Sequence, residues 1–155
     1  MTLLRRFLLF QAFMLWQGGF LFYTSFVVPV GTRVLGSAEG QGRITARVTE
    51  SLNVCGVVAL ALMLWDVVVR RGQARFVLWF VMAAIQAWLF HLHAELDARM
   101  DAERTFVVKR DEFYGLHRLY LIASTVQWVA GLAWMWLALR HHFSPTHNSD
   151  LRPLR

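Results

Sequence analysis

Long runs of apolar residues separated by short polar connections set the first constraint on this chain. Four such stretches are present: Phe7 to Val30, Leu52 to Val69, Phe76 to about Leu92, and Leu119 to Leu139. A helix rising about 1.5 Å per residue needs about 20 residues to cross a hydrocarbon core about 30 Å thick. Each run reaches or approaches that length, the second and third being the shortest. The pattern predicts an all-α protein, an integral membrane bundle of four transmembrane helices occupying residues 1–143 as one domain. Residues 144–155 (SPTHNSDLRPLR) are polar and contain proline, and are expected to form a disordered cytoplasmic tail.

The connections refine this layout. Pro29 and the glycines of GTRVLGSAEGQG (31–42) predict the end of the first span and a loop, with the second helix starting near Thr45. DVVVRRGQ (66–73) reads as a tight turn around Gly72. ELDARMDAERTFVVKRDEF (95–113) is densely charged but rich in helix formers, and reads as helical extensions into water.

Polar residues inside the spans can be placed on faces at about 100° per residue. His117, Tyr120, Ser124, Gln127 and Gly131 fall on one stripe of the fourth span, and Thr45, Thr49, Asn53 and Gly56 on one stripe of the second, with Glu50 beside it. Gln11, Gly18 and Ser25 align on the first. In the third, Ala83, Ala87 and Ala94 define a small-residue ridge expected to face the bundle, with Val81, Ile85, Trp88, Leu92 and Leu96 towards lipid. Most of these polar residues are expected to be structural, bonding between helices. The tryptophans read as span-end anchors or lipid-facing bulk.

Charge alters the choice of partner and orientation. The formal net charge of +6 would suggest nucleic acid in a soluble protein, but these basic residues sit beside span ends, where they meet headgroups. The lipid bilayer is therefore the expected partner, nucleic acid is not, and the helix faces leave room for a homo-oligomer or a membrane-protein partner. Arg5 and Arg6, with Arg70, Arg71, Arg75 and Arg140, favour cytoplasmic N- and C-termini. The apolar run after Arg6 outlasts a signal-peptide core and reads as a retained helix. Cys55, the single cysteine, lies within the second span and has no internal partner.

The histidines offer the sharpest chemistry. Antiparallel spans bring His91, His93 and His117 to one depth, together with Glu50, Glu95, Asp97 and Tyr120. Imidazoles beside carboxylates suit a transition metal or a haem axial position. His91 and His93 diverge by about 200° on a regular helix, so the expected pair is His91 with His117. Tyr120 would be a cofactor contact and Glu95 and Glu50 further metal ligands, with haem b or copper as the group bound. The plainer reading is a set of interfacial histidines satisfied by Glu, Tyr or water. No phosphate cradle, cysteine metal motif or nucleophile elbow is present, so no catalytic residue is assigned and enzymatic activity stays open.

The segments FYTSFVVPVGTRVL (22–35) and HRLYLIAS (117–124), with the charged start of the second span, resemble the small four-span membrane proteins related to transmembrane protein 205. That group is similar in layout to copper-resistance-D-type membrane proteins and to haem-binding protoporphyrinogen oxidases of the HemJ type. The resemblance covers nearly the whole chain. It implies a bacterial inner-membrane bundle with a corner at Pro29 and Arg33 and a functional His117. The first span carries no histidine where the haem- and copper-linked relatives would be expected to have one. The two functions in view are a membrane metal- or haem-associated protein and a non-enzymatic assembly or scaffold subunit.

Overall fold

The computed structural model describes residues 2–100 and 110–143, and over them the chain is helical apart from short connections at 36–37 and 71–72 and the turn at 98–100. The order is α1 (Thr2–Phe22), a π-helical turn (Tyr23–Val27), α2 (Val28–Leu35), α3 (Ala38–Arg70), α4 (Gln73–Asp97) and α5 (Arg110–Phe143). Four helical segments, Leu3–Leu35, Gly40–Arg70, Gln73–Asp97 and Asp111–Arg140, are long and apolar enough to cross a membrane. This is a multi-pass, all-α membrane bundle. The predicted tail at 144–155 lies outside the described residues.

Pro29 does not end the first span. Its missing N–H and its ring conflict with an ordinary α-helical ladder, and the π-helical turn immediately before it loosens that ladder so that the helix continues to Leu35. The expected twelve-residue loop shrinks to two residues. Gly36 adopts the left-handed conformation at φ 65°, and Ser37 then caps α3, its hydroxyl accepting from Gly40 N at 3.0 Å. At the other end of α3 the tight turn is present, but the left-handed residue is Arg71 (φ 44°) and Gly72 is extended.

Successive helices pack against one another, α1 on α3, α3 on α4 and α4 on α5. We call the end carrying Arg5, Arg70 and Arg75 the arginine end and the other the distal end. One apolar core, including Leu9, Phe13, Met63, Met82 and Trp134, occupies the arginine half. A second, of Leu89, Leu92, Leu96, Tyr120 and Ala123, joins α4 to α5 in the distal half. Inside a membrane such cores act through van der Waals contact, because lipid tails are as apolar as leucine.

Two expected faces are corrected. On α4, Met82, Gln86, Leu89, Leu92 and Leu96 are buried while Ala87 and Ala94 point outward, so the alanine ridge is the outer face and Leu92 and Leu96 the inner one. On α1, Gln11, Gly18 and Ser25 are exposed, and Leu9, Phe13, Trp16, Gln17 and Tyr23 turn inward. The tryptophans divide: Trp65, Trp88 and Trp136 are exposed, whereas Trp16 and Trp134 are core residues.

Candidate functional site

At the seam between the two apolar cores lies a cluster of uncharged polar side chains. The stripe on α3 supplies Thr49 and Asn53, the stripe on α5 supplies Tyr120, Ser124 and Gln127, α4 adds Gln86 and α1 adds Gln17. Asn53, Gln86, Tyr120, Ser124, Gln127 and Gln17 are all buried. In the dry middle of a bundle each of their polar atoms requires a partner.

Most find one in a chain that crosses three helices. Gln127 Nε2 donates to Gln86 Oε1 at 3.0 Å and to the Met82 carbonyl at 3.1 Å. Gln86 Nε2 donates to Asn53 Oδ1 at 3.2 Å, and Asn53 Nδ2 donates to the Tyr120 hydroxyl at 3.1 Å. The same hydroxyl lies 3.3 Å from Asn53 Oδ1, with Ser124 and Thr49 also in reach. Glycine makes the close approach possible. A methyl group on Gly56 would fall 2.9 Å from Trp16 Nε1 and would press on Gln86 Oε1, and one on Gly131 would strike the Gln17 amide.

Gln17 is the exception. Its Oε1 is buried with no hydrogen-bond donor, although its backbone carbonyl accepts from Trp128 Nε1 at 3.3 Å. It borders a partly open cavity of about 30 Å³ between α1 and α5, whose polar lining is Gln17, Thr49, Asn53, Tyr120, Ser124 and Gln127. Trp16, Phe20 and Trp128 form aromatic walls. That volume suits one or two water-sized groups. Its lining thus joins the hydroxyl-bearing Tyr120, Ser124 and Thr49 to the amide-bearing Gln17, Asn53 and Gln127. No charged residue lines it, and an ion there would be poorly compensated.

The residues singled out from sequence scatter. His91 is exposed on the outer face of α4, whereas the His117 ring stacks on Phe113 at 6.0 Å with the planes 6° apart. His91 therefore belongs to a face turned away from the bundle, for the same reason that Leu92 turns inward. His93 is the histidine that approaches the cluster, its ring 6.4 Å from that of Tyr120 and its Nε2 3.8 Å from Asp97 Oδ2. Glu95 is engaged by Arg99 at 2.7 Å, and Arg99 Nε reaches Glu112 at 3.2 Å, tying the end of α4 to the start of α5. Glu50 is exposed and meets Arg47 at 3.5 Å. Among the described residues no group of three or more His, Cys, Asp or Glu side chains converges as a metal shell would require. Tyr120 is the one candidate found inside the buried cluster.

Sequence reasoning missed two features. Gln17 lies off the Gln11, Gly18 and Ser25 stripe, so helical spacing does not single it out. At the arginine end, the buried Asp66 accepts from Arg75 Nη1 at 3.0 Å and forms ion pairs with Arg5 Nη2 at 3.3 Å and Arg70 Nε at 3.2 Å. A carboxylate at a span end next to three arginines from different helices is the signal that was available for it. Compared with family models, with curated proteins and with solved structures, the chain matches none.

Proposed function

We propose that this chain is a membrane protein that holds a small uncharged molecule, one that both donates and accepts hydrogen bonds, in the amide-lined cavity between α1 and α5. The observation that carries this reading is that Gln17, whose buried Oε1 has no donor, lines a cavity together with Tyr120 and Ser124. A neutral lining selects against ions, and the aromatic walls favour a ligand with an apolar part. Water is the smallest such molecule; the smallest alcohols and amides, methanol and formamide, share its chemistry and approach its size. Towards the arginine end, the fully buried Met63, Met82 and Trp134 fill the bundle. The reading is of a binding protein, with no catalytic residue assigned.

The test is a panel of small solutes added to the purified full chain in detergent, followed by intrinsic fluorescence, since Trp16 and Trp128 line the cavity. Formamide and methanol should give saturable changes that Gln17→Leu weakens, and acetate and ammonium should give none. Absence of any saturable response to the neutral panel, or an unchanged response in Gln17→Leu, overturns the assignment.

For orientation, we infer that the arginine end, and with it both termini, faces the cytoplasm of a bacterium, with the chain in the inner membrane. Arg5 and Arg6 ahead of the first span, with Arg70, Arg71 and Arg75 at the α3–α4 turn, support it; the basic residues of the other end are as numerous but interleaved with Glu39, Glu50, Glu95, Asp97, Asp111 and Glu112. Cysteines at Val34, exposed near the distal turn, and at Gln73, in a Cys55→Ala background, provide the check. An impermeant thiol reagent added to intact cells should label Val34→Cys and spare Gln73→Cys; the reverse pattern means the opposite orientation.

A further inference from the structure

At the arginine end, charge is unbalanced inside a buried site. Arg5, Arg70 and Arg75, from three different helices, all bond Asp66, and the side chains of Arg5, Arg75 and Asp66 are 7%, 4% and 4% exposed. Three positive groups thus share one negative group. Arg6 lies close enough to Arg70 to add its own repulsion. Among the described residues of this end, Asp66 is the acidic one, set against the buried or partly buried Arg5, Arg6, Arg70 and Arg75. A surplus of positive charge withdrawn from water is costly unless an anion accompanies it.

The nitrogen inventory points the same way. The Nε atoms of Arg5, Arg6 and Arg75 are buried with no hydrogen-bond acceptor. Each guanidinium is a planar fork of donors suited to a tetrahedral oxyanion. Around the cluster the surface is apolar, with Leu4, Phe7, Val68 and Phe76 all exposed. A charged core rimmed by exposed apolar side chains at a membrane boundary matches a molecule with a phosphate head and acyl tails.

We propose that the Arg5, Arg6, Arg70 and Arg75 cluster binds a phosphate oxyanion, presented by the headgroup of an anionic phospholipid whose chains lie along Leu4, Phe7, Val68 and Phe76. This site is separate from the neutral cavity and does not depend on what that cavity holds. Asp66 gathers the guanidinium groups from three helices, and the phosphate supplies the charge that one carboxylate lacks. The exposed acyl-chain rim favours the lipid over free phosphate, which shares its oxyanion chemistry.

The full-length protein, purified in mild detergent, is titrated with short-chain phosphatidylglycerol, short-chain phosphatidylcholine or inorganic phosphate while thermal unfolding is followed by tryptophan fluorescence. Phosphatidylglycerol should raise the unfolding midpoint saturably and phosphatidylcholine should not. Arg6→Gln and Arg70→Gln should each raise the half-saturating concentration about tenfold, the effect of one charge-assisted bond. Arg43→Gln, exposed at the distal end, should leave it unchanged. Arg6→Gln guards against misfolding, because the ion pairs of Asp66 run to Arg5, Arg70 and Arg75 instead. Equal stabilisation by phosphatidylcholine, or a phosphatidylglycerol response that survives both variants, overturns the site. A matching response to inorganic phosphate alone overturns the lipid as its source.

Discussion

Asp66 Oδ2 accepts a hydrogen bond from Arg75 Nη1 at 3.0 Å across a connection of only two residues, Arg71 and Gly72. The bond closes the α3–α4 hairpin, while Arg5 ties α1 to the same carboxylate. Asp66→Asn should therefore loosen three helices at once. Removing one partner of a buried charge network costs about 3–5 kcal/mol, and chemical denaturation in detergent should show a loss of that order. A loss below about 1 kcal/mol would mean that water reaches the cluster and screens it.

Tyr120→Phe deletes the hydroxyl that accepts from Asn53 Nδ2 and leaves the ring in place. Interhelical hydrogen bonds in membranes average about 0.6 kcal/mol and reach about 1.7 kcal/mol. The upper half of that range is expected here, because the buried Asn53 Nδ2 loses its acceptor. A double-mutant cycle with Asn53→Ala should return a coupling of similar size, and additive effects would show that the bond contributes nothing.

Gly56 is a position where one added methyl group is felt on two helices. Gly56→Ala would place it 2.9 Å from Trp16 Nε1 and force Gln86 to move. Overpacking of this kind costs about 1–3 kcal/mol. Gly18, with nothing within 4 Å of such a methyl, is the control, and Gly18→Ala should be neutral or slightly stabilising. Equal effects at the two glycines would show that α1, α3 and α4 do not meet as described.

Glu50→Leu should matter little. Its pair with Arg47 is 3.5 Å long, with side chains 71% and 52% exposed, and such pairs contribute well under about 1 kcal/mol. An unfolding midpoint that drops as far as that of Asp66→Asn would show that Glu50 has a buried partner.

The helix count and the two polar stripes were legible in the sequence because apolar run length and helical period follow from the bilayer and the backbone. Asn53 and Gln127 sit where their period places them. The third span was misread for a physical reason. In a membrane protein lipid and core are equally apolar, so Leu92 and Leu96 carry no label for inside or outside, and Ala87 and Ala94 are small enough for either. The labels that decide are Gln86 and His93, polar groups that lipid would penalise; following them would have turned α4 the right way. Extrapolating from Pro29 failed because a π-helical turn, which depends on backbone hydrogen bonding and leaves no residue-type signature, precedes it. Asp66 reads from sequence as part of a turn, since only Arg70 lies within that segment, while Arg75 lies beyond it and Arg5 is far away in sequence.

That π-helical turn, Tyr23–Val27, amounts to one surplus residue in an otherwise continuous helix. Deleting a residue there would let the ordinary ladder run through, and everything beyond would rotate by about 100°. Gly31, which now lies directly against the Gln41 side chain, would swing off α3, and the two-residue connection at Gly36 and Ser37 would have to be rebuilt. Tyr23, whose hydroxyl donates to Thr45 Oγ1 at 2.9 Å, is held on one side of the surplus residue and Gly31 on the other. The bulge is thus a phase adjuster: it lets the first helix keep two separate appointments with α3 that a perfectly regular helix of this sequence could not keep together.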